Sequence, residues 1–235
     1  MESRRDRLRA ATVREIGQTA RRILVEQGAD AVTLRAIARE MGMTAPALYR
    51  YFGSHGELLR HLVGELFTEL TAALRAGLAD VPPGDMSGKF LTAAREFRGW
   101  SLAHPGEYTL LFGVPVRGAE EVDFAEECAR EFAGTFMALF LDLWHKHPFP
   151  VPPDEEIDPA LREQLRDYRE RALGTCLPLG MIQLFLQCWV RLQGAVSLEV
   201  FGHLDFALSD PEPMFELMLA DLARLLHLAY TPPAS

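Results

Sequence analysis

Apolar residues along this chain recur three and four positions apart, which is the spacing of one face of an α-helix. No segment alternates apolar and polar residues as a half-buried strand does. We therefore expect an all-α protein of about nine to ten helices. The first predicted helix ends at Gly28, two short ones lie between Thr33 and Gly42 and between Thr44 and Phe52, a long one runs from Ser54 past Leu78, and the rest cover residues 87–103, 107–112, 120–146, 160–173, 179–202 and 212–229.

Residues that start and stop helices support these boundaries. The hydroxyl of Thr33 can cap the free amides of the helix that follows it. Ser54 and Glu57 have the spacing of a capping box, in which each side chain satisfies a backbone donor near the other. Gly28 and Gly42 suit the left-handed conformation that commonly ends a helix.

The predicted helices form two groups. Residues 1–55 are expected to form a three-helix helix-turn-helix domain, and residues 56–235 a larger C-terminal helical domain. The long fourth helix runs from the first domain deep into the second. A turn-rich break at 80–88 and a proline-rich stretch at 147–159 interrupt the second domain, and we expect the latter to be an exposed, mobile loop.

Charge is distributed unevenly along the 235 residues. The chain has a formal net charge of −9, yet its first 60 residues contain eleven arginines and seven acidic residues. A basic module attached to an acidic body indicates contact with nucleic acid at one end, although a solvated charged face would give a similar count.

Several function classes lack their sequence features. We find no glycine-rich phosphate loop, nucleophile elbow or zinc-protease motif, so we expect neither an enzyme nor a cofactor. Three cysteines give no disulfide framework, and His145 and His147 do not share a helical face, so we expect no metal site and a cytoplasmic protein. Residues 172–190 are uncharged, but Pro178 and Gly180 favour a loop and a buried helix over a membrane span.

The most informative stretch is TLRAIAREMGMTAPALYRYFGSHGELL, residues 33–59. It predicts two short helices joined by a turn at Gly42, with Ile37 and Ala38 buried on the first and Leu48 and Phe52 on the second. The second of these helices can enter a DNA major groove, which is about 12 Å wide. The residues left pointing outward are Thr44, Ala45, Ala47, Tyr49, Arg50 and Tyr51.

This stretch resembles the DNA-binding motif of the TetR family of repressors. The motif T-[LVI]-x-x-[IL]-A-x-x-x-G-[MV]-x-x-x-x-[LF]-Y-x-x-F is matched at Thr33, Ile37, Ala38, Gly42, Leu48, Tyr49 and Phe52. The resemblance implies a repressor, with an activator, or a ligand-binding dimer that does not bind an operator, as alternatives.

The resemblance also implies roles for single residues. Tyr49 and His55 occupy positions that grip phosphates, and histidine replaces the usual lysine at the second, which makes this contact weaker or pH-sensitive. Thr33 and Arg35 stand at backbone or groove-edge positions, and Arg50 can reach either a guanine or a phosphate. The base-facing positions are those of Thr44, Ala45 and Ala47. The N-terminal arginines form either an arm along the minor groove or a solubilising tail, and they are Arg4, Arg5, Arg7 and Arg9.

A second resemblance concerns the C-terminal half. Residues 189–194 are similar to the Trp-x-x-x-His-Gly signature of one TetR subgroup, with Gln193 in place of histidine, and HPGEYTLLF at 104–112 is similar as well. In that family the last two helices form the homodimer interface. The helix at 179–202 is apolar nearly all round and so needs cover on every side. A two-fold dimer would present recognition helices about 34–36 Å apart, which suits a palindromic operator in double-stranded DNA.

The family places a ligand pocket among the central helices. Aromatic richness there predicts a small apolar effector, although each residue taken singly could be ordinary core. We expect this effector to displace the fourth helix and to weaken operator binding by about 1–3 kcal/mol. The candidate lining residues are Trp100, Tyr108, Phe112, Phe136, Phe140, Trp144, Met181, Phe185 and Trp189.

Overall fold

The computed structural model describes residues 3–113, 124–173 and 177–233, and within these ranges it contains α-helices and no β-strand. The prediction of an all-α protein is thereby confirmed. The helices are α1 (Arg4–Gln27), α2 (Leu34–Glu40), α3 (Ala45–Leu48), α4 (His55–Ala79), α5 (Met86–Ala103), α6 (Pro105–Tyr108), α7 (Phe124–Lys146), α8 (Pro159–Tyr168), α9 (Leu179–Val200) and α10 (Glu212–Leu225).

Most predicted helices have the expected extent, and four end at least four residues early. The one expected over 107–112 begins at Pro105 and ends at Tyr108, where a π-helical turn, Thr109–Gly113, follows. The third was expected to reach Phe52, but α3 ends at Leu48 and continues as a turn. The helix expected over 160–173 ends at Tyr168 and widens into a π-helical turn, Arg169–Leu173. The last helix ends at Leu225, because His227 adopts a left-handed backbone with φ 55°. The predicted start of the seventh helix near residue 120 lies outside the described residues.

Of the two glycines predicted to end helices in a left-handed conformation, only Gly42 does so; Gly28 ends α1 with φ 86° and ψ 170°, and Gly202, which was not predicted, ends another helix. Gly42 has φ 65°, and the amide of Met43 donates to the carbonyl of Ala38 at 2.8 Å. Gly202, with φ 66°, ends α9 in the same way. A residue with a Cβ would be strained at either position, so these glycines fix where the chain turns.

The first of two compact units contains Met1–Ala73 and Trp100–Gly134. Each of its helices turns one apolar face inward. In α1 this face consists of Ile16, Ala20, Ile23 and Leu24, and in the helix-turn-helix of Leu34, Ile37, Ala38 and Leu48. The boundary at residue 55 between the helix-turn-helix domain and the C-terminal helical domain stays a prediction.

The second unit contains Leu74–Gly99 and Thr135–Ser235. Its largest buried cluster joins side chains of α5, α7, α9 and α10, among them Phe140, Met181, Leu184 and Leu222. Within the described parts of the chain, no helix is both long and apolar enough to cross a bilayer.

The proline-rich stretch at 147–159 is not the wholly exposed loop that we predicted. Phe149 and Ile157 are 4% and 3% exposed and pack into apolar clusters. The carbonyl of Pro152 lies so close to Gly180 that a Cβ there would come within 2.0 Å of the oxygen. The stretch is therefore held at three points, and burial of its apolar side chains stabilises it there.

Candidate functional site

The predicted DNA-contacting residues of α2 lie at the surface of the first unit. The hydroxyl of Thr33 accepts from the amide of Ala36 at 3.1 Å and so caps α2. Arg35 is exposed on the first turn of this helix. The cap fixes the start of α2, while Ile37 and Ala38 hold its other face in the core.

The candidate recognition segment consists of α3 and the turn that follows it. Leu48 is fully buried and anchors the segment, while Thr44 and Arg50 are exposed and Tyr49 is 52% exposed. Ala45 and Ala47 are partly buried. Small residues at its start and long polar ones further along leave space for the edges of DNA bases.

Tyr51 is placed differently from its neighbours. It is partly buried, and the guanidinium carbon of Arg9 lies 5.3 Å from the centre of its ring. Nη1 of Arg9 also donates to the carbonyl of Arg50 at 3.4 Å. Tyr51 is therefore covered on one face by α1 rather than fully presented outward.

The arginine-rich start of the chain is helical. Ser3 and Asp6 form a capping box, and α1 begins at Arg4. The hydrogen bond from the Ser3 hydroxyl lowers the pKa of Asp6. Arg4, Arg5 and Arg9 line an open groove beside the recognition segment, so this part is neither an extended arm nor an unstructured tail.

His55 lies at the start of α4 and is exposed, yet its Nε2 bonds to the carbonyl of Val32. Because a carbonyl only accepts, Nε2 carries the hydrogen, and Nδ1 of the neutral ring is then an acceptor, which cannot donate to a phosphate. The amide of Glu57 donates to Ser54 Oγ at 3.1 Å, while Glu57 itself accepts from Gly53 rather than from Ser54. The predicted capping box is therefore present in a shifted form.

A polar network that the sequence did not reveal joins four helices of the first unit. Arg21 of α1 donates to Glu107 of α6 at 3.0 Å and to Glu69 of α4 through two nitrogens. Trp100 of α5 donates to Glu69 at 3.2 Å and stacks on His104. Hydrogen bonding between Arg21 and Glu69 raises the pKa of the first and lowers the pKa of the second. We call these residues the Arg21 network.

An apolar cavity lies within the second unit, among α5, α7, α9 and α10. Its volume is about 40 Å³, and it is partly open to solvent. Burial raises the pKa of the Cys188 thiol to about 12, so this side chain stays neutral. No charged residue is among the described residues that line it, which are Phe90, Ala93, Ala94, Phe136, Leu139, Phe140, Phe185, Cys188, Trp189, Leu192 and Leu222.

The structure brings together four of the nine predicted pocket residues, Phe136, Phe140, Phe185 and Trp189. Trp144 and Met181 pack in the large buried cluster of the same unit and are not among the lining residues.

The other three belong to the first unit. Trp100 takes part in the Arg21 network, and the rings of Tyr108 and Phe112 lie 4.9 Å apart. The fully buried Tyr108 ring is part of that unit's interior.

The prediction overlooked seven of the eleven described residues that line the cavity, among them the small ones. Ala93 and Ala94 create space because they are small, and a pair of alanines in a helix carries no visible signal of that role. Cys188 and Leu192 could have been found, since they follow Phe185 by three and seven positions on an already suspected helix.

Two families match this chain. Residues 16–62 match "Bacterial regulatory proteins, tetR family", and residues 90–222 match "Tetracyclin repressor-like, C-terminal domain". The first match contains the helix-turn-helix, and the second contains every residue that lines the cavity.

Individual proteins are similar over nearly the whole length. The HTH-type transcriptional regulator Rv1816 of Mycobacterium tuberculosis is 29% identical over 221 residues, which cover 90% of this chain and 91% of the relative. The crystal structure of a candidate regulatory protein, SCO4313, has a TM-score of 0.72 and 31% identity, covering 94% of this chain and 98% of that one. A protein of unknown function from Rhodococcus sp. RHA1 shares the fold, with a TM-score of 0.66, 18% identity, and coverage of 93% and 95%.

Proposed function

The chain belongs to the TetR family of DNA-binding transcriptional regulators, which are not enzymes, and on this premise we propose that it is a repressor released by a small ligand. In this proposal a homodimer binds a palindromic operator through two helix-turn-helix segments. An uncharged, apolar effector enters the cavity of the second unit and lowers the operator affinity. The uncharged cavity wall is the observation on which the ligand part of the proposal depends.

DNA binding by the predicted residues can be tested at Tyr49. A palindromic duplex recovered by the protein from a random-sequence library serves as the operator. Tyr49→Ala should weaken binding to it, since an exposed phenol can donate to a phosphate, and Tyr49→Phe should reproduce most of that loss. Val25→Ala, at a 59% exposed position of the same unit, is the control. Operator affinity unchanged in both Tyr49 variants would remove this residue from the interface.

The proposed dimer interface is supported by apolar side chains left exposed on α9 and α10. Val190 is 65% and Leu198 44% exposed on α9, and Met214 is 50% and Leu217 57% exposed on α10. Gly194 lies on the stripe between Val190 and Leu198, and a Cβ there would meet no atom within 4 Å. Exposed apolar stripes on two neighbouring helices are typical of an interface between subunits.

The chemistry of the cavity defines the kind of effector. A carboxylate or ammonium group placed against this wall would lose its hydration and gain no partner, at a cost of several kcal/mol. The rings of Phe136 and Trp189 lie 5.6 Å apart and offer flat surfaces to an aromatic or alicyclic molecule. The effector is therefore proposed to be neutral at physiological pH.

The route from ligand to DNA is proposed to run along α5. Phe90 and Ala94 of this helix line the cavity, and Trp100 two turns further on donates to Glu69, which binds Arg21 of α1. We propose that α5 has two positions, one of which suits operator binding. A ligand that binds more tightly to the protein with α5 in the other position lowers the population that can bind the operator, and its difference in affinity for the two states sets the size of the shift.

Matched probes test the ligand class. We expect 2-methylnaphthalene to quench tryptophan fluorescence and to release the operator, and 2-naphthoate, of the same ring size but charged, to do neither. Ala94→Leu fills the cavity and should abolish the response while operator binding persists. Equal binding of the two probes, or a response that survives Ala94→Leu, would contradict the proposed site.

Two finer points stay predictions. The subgroup with a Trp-His-Gly signature is proposed on the similarity of residues 189–194, in which Gln193 donates to Ser197 at 3.3 Å. Repression in the cytoplasm, as against activation, is tested by a reporter gene placed behind the operator. Deletion of the regulator should raise reporter expression, whereas deletion of an activator would lower it.

A further inference from the structure

Arg50 lies in the turn formed by residues 49–51, which follows the short helix α3. Because α3 has only four residues, the turn is held mainly by local bonds, from Arg50 to the Ala47 carbonyl at 3.3 Å and from Tyr51 to the Leu48 carbonyl at 2.9 Å. The Arg50 side chain is exposed beyond this turn. Such a turn needs another contact if the long arginine is to point in one direction.

Arg9 of α1 supplies that contact from 41 residues away in the sequence. Its guanidinium lies 5.3 Å from the centre of the Tyr51 ring, and its Nη1 reaches the Arg50 carbonyl at 3.4 Å. Both contacts are made by the same guanidinium group. Lysine would keep the charge, but its ammonium lacks the planar fork of donors that lets one group lie over a ring and donate to a carbonyl from another of its nitrogens. The helix that presents Arg9 is anchored by Ile16, which lies about two turns further along α1 and is buried.

We propose that Arg9 is a positioning residue for base recognition. It holds Tyr51 and the Arg50 carbonyl against α1, and thereby directs the Arg50 side chain toward the bases and sets part of the sequence preference. The inference rests on the proposed operator binding, and it adds a determinant of specificity that lies outside the helix-turn-helix.

The test compares binding of a specific and a random duplex. Wild-type protein selects the specific duplex from a random-sequence library, and affinities for it and for a shuffled duplex are measured by fluorescence anisotropy at several salt concentrations. The variants are Arg9→Lys and Arg9→Gln, with Tyr51→Phe and Tyr51→Leu approaching the same contact from the other side. Arg14→Lys and Arg14→Gln, at an exposed position of α1, are matched for charge.

We expect Arg9→Lys and Tyr51→Leu to reduce the ratio of specific to random affinity by about 5- to 150-fold, the effect of one mismatched base pair. Tyr51→Phe keeps the ring face and should keep the ratio, and both Arg14 variants should keep it too. The slope of log affinity against log salt should be unchanged in Arg9→Lys, because the charge is retained. Circular dichroism and thermal unfolding verify that each variant is folded.

Two results would overturn this inference and leave the proposed operator binding in place. In one, Arg9→Lys retains the wild-type preference. In the other, Arg9→Gln weakens both duplexes equally and lowers the salt slope by about 0.9 for each phosphate that is no longer neutralised, or about 1.8 for a dimer, as expected if Arg9 simply binds a phosphate. A wild-type protein that enriches no sequence overturns the proposed function and this inference with it. A wild-type consensus that Arg9→Lys leaves intact overturns the inference alone.

Discussion

Replacing Arg21 by methionine should destabilise the protein far more than the same change at its neighbour. The side chain of Arg21 is 31% exposed and binds two carboxylates of different burial. Glu107 is 4% exposed, and Glu69 is 41% exposed. Methionine fills most of the arginine volume but has no charge. The loss of stability in this variant therefore reports the ion pairs rather than the packing of the side chain.

The burial of Glu107 determines the magnitude. A buried carboxylate that loses its partner costs about 3–5 kcal/mol, because neither water nor a cation compensates its charge. The loss of the more exposed Glu69 pair adds only about 0–1 kcal/mol. For a chain of this size each kcal/mol lowers the melting temperature by about 2–4 °C, so a total loss of about 3–6 kcal/mol in Arg21→Met should lower it by about 6–24 °C.

Thermal and urea unfolding followed by circular dichroism measure the effect. Arg22→Met is the control, because Arg22 is 52% exposed and pairs with Glu40 at the surface, where about 1 kcal/mol or less is at stake. The double variant Arg21→Met/Glu107→Met removes both partners of the buried pair and should recover a large part of the loss. If Arg21→Met is no worse than Arg22→Met, or if the double variant simply adds two losses, the reasoning about Glu107 is refuted.

Three further predictions concern pH, thiol chemistry and assembly. Arg21 holds the pKa of Glu69 below its ordinary 4.5, so this pair contributes stability above pH 4.5 and loses it as the pH falls. The difference in free energy of unfolding between wild type and Arg21→Met, measured in urea, should therefore narrow from about pH 7 to about pH 3.5. A difference that stays constant would contradict this. Cys188, with a pKa of about 12, should react with iodoacetamide at about pH 7.4 far more slowly in native than in urea-unfolded protein, as measured by peptide mass spectrometry, and labelling at equal rates would contradict its burial. Leu198→Arg should convert the dimer into folded monomer in light scattering after size exclusion, and a dimer that persists would exclude this stripe of α9 from the interface.

Helix positions could be predicted from the sequence because each is encoded locally. Apolar spacing and turn residues placed α4 and α5 within about a residue of their ends. The turn after α3 could not be predicted in the same way, because its surroundings include a long-range contact, that of Arg9 with the Tyr51 ring. Arg9 also reaches the Arg50 carbonyl from 41 residues away, and helical spacing contains no information about either contact.

The candidate pocket shows the same limit. Aromatic residues at helical spacing are recognisable, but whether a ring faces a cavity or a filled core depends on the helix opposite. Phe136 and Trp189 line the cavity, whereas Met181 on the same helix as Trp189 lies in the filled core. The Arg21 network was missed for a related reason, since Glu107 resembles any surface acid until α6 is packed.

The uncharged cavity wall has a consequence for how many compounds could serve as the proposed effector. A purely apolar site distinguishes molecules that differ by one methylene by only about 10- to 200-fold, because it has no fixed donor or acceptor whose partner could be missing. Close structural analogues should therefore elicit graded responses rather than none. The same property makes the wall at Ala93 and Phe185 adaptable, because exchanging one side chain alters its shape without leaving a buried polar group unpaired. A scaffold of this kind is well suited to redesign as a sensor for a chosen hydrophobic compound.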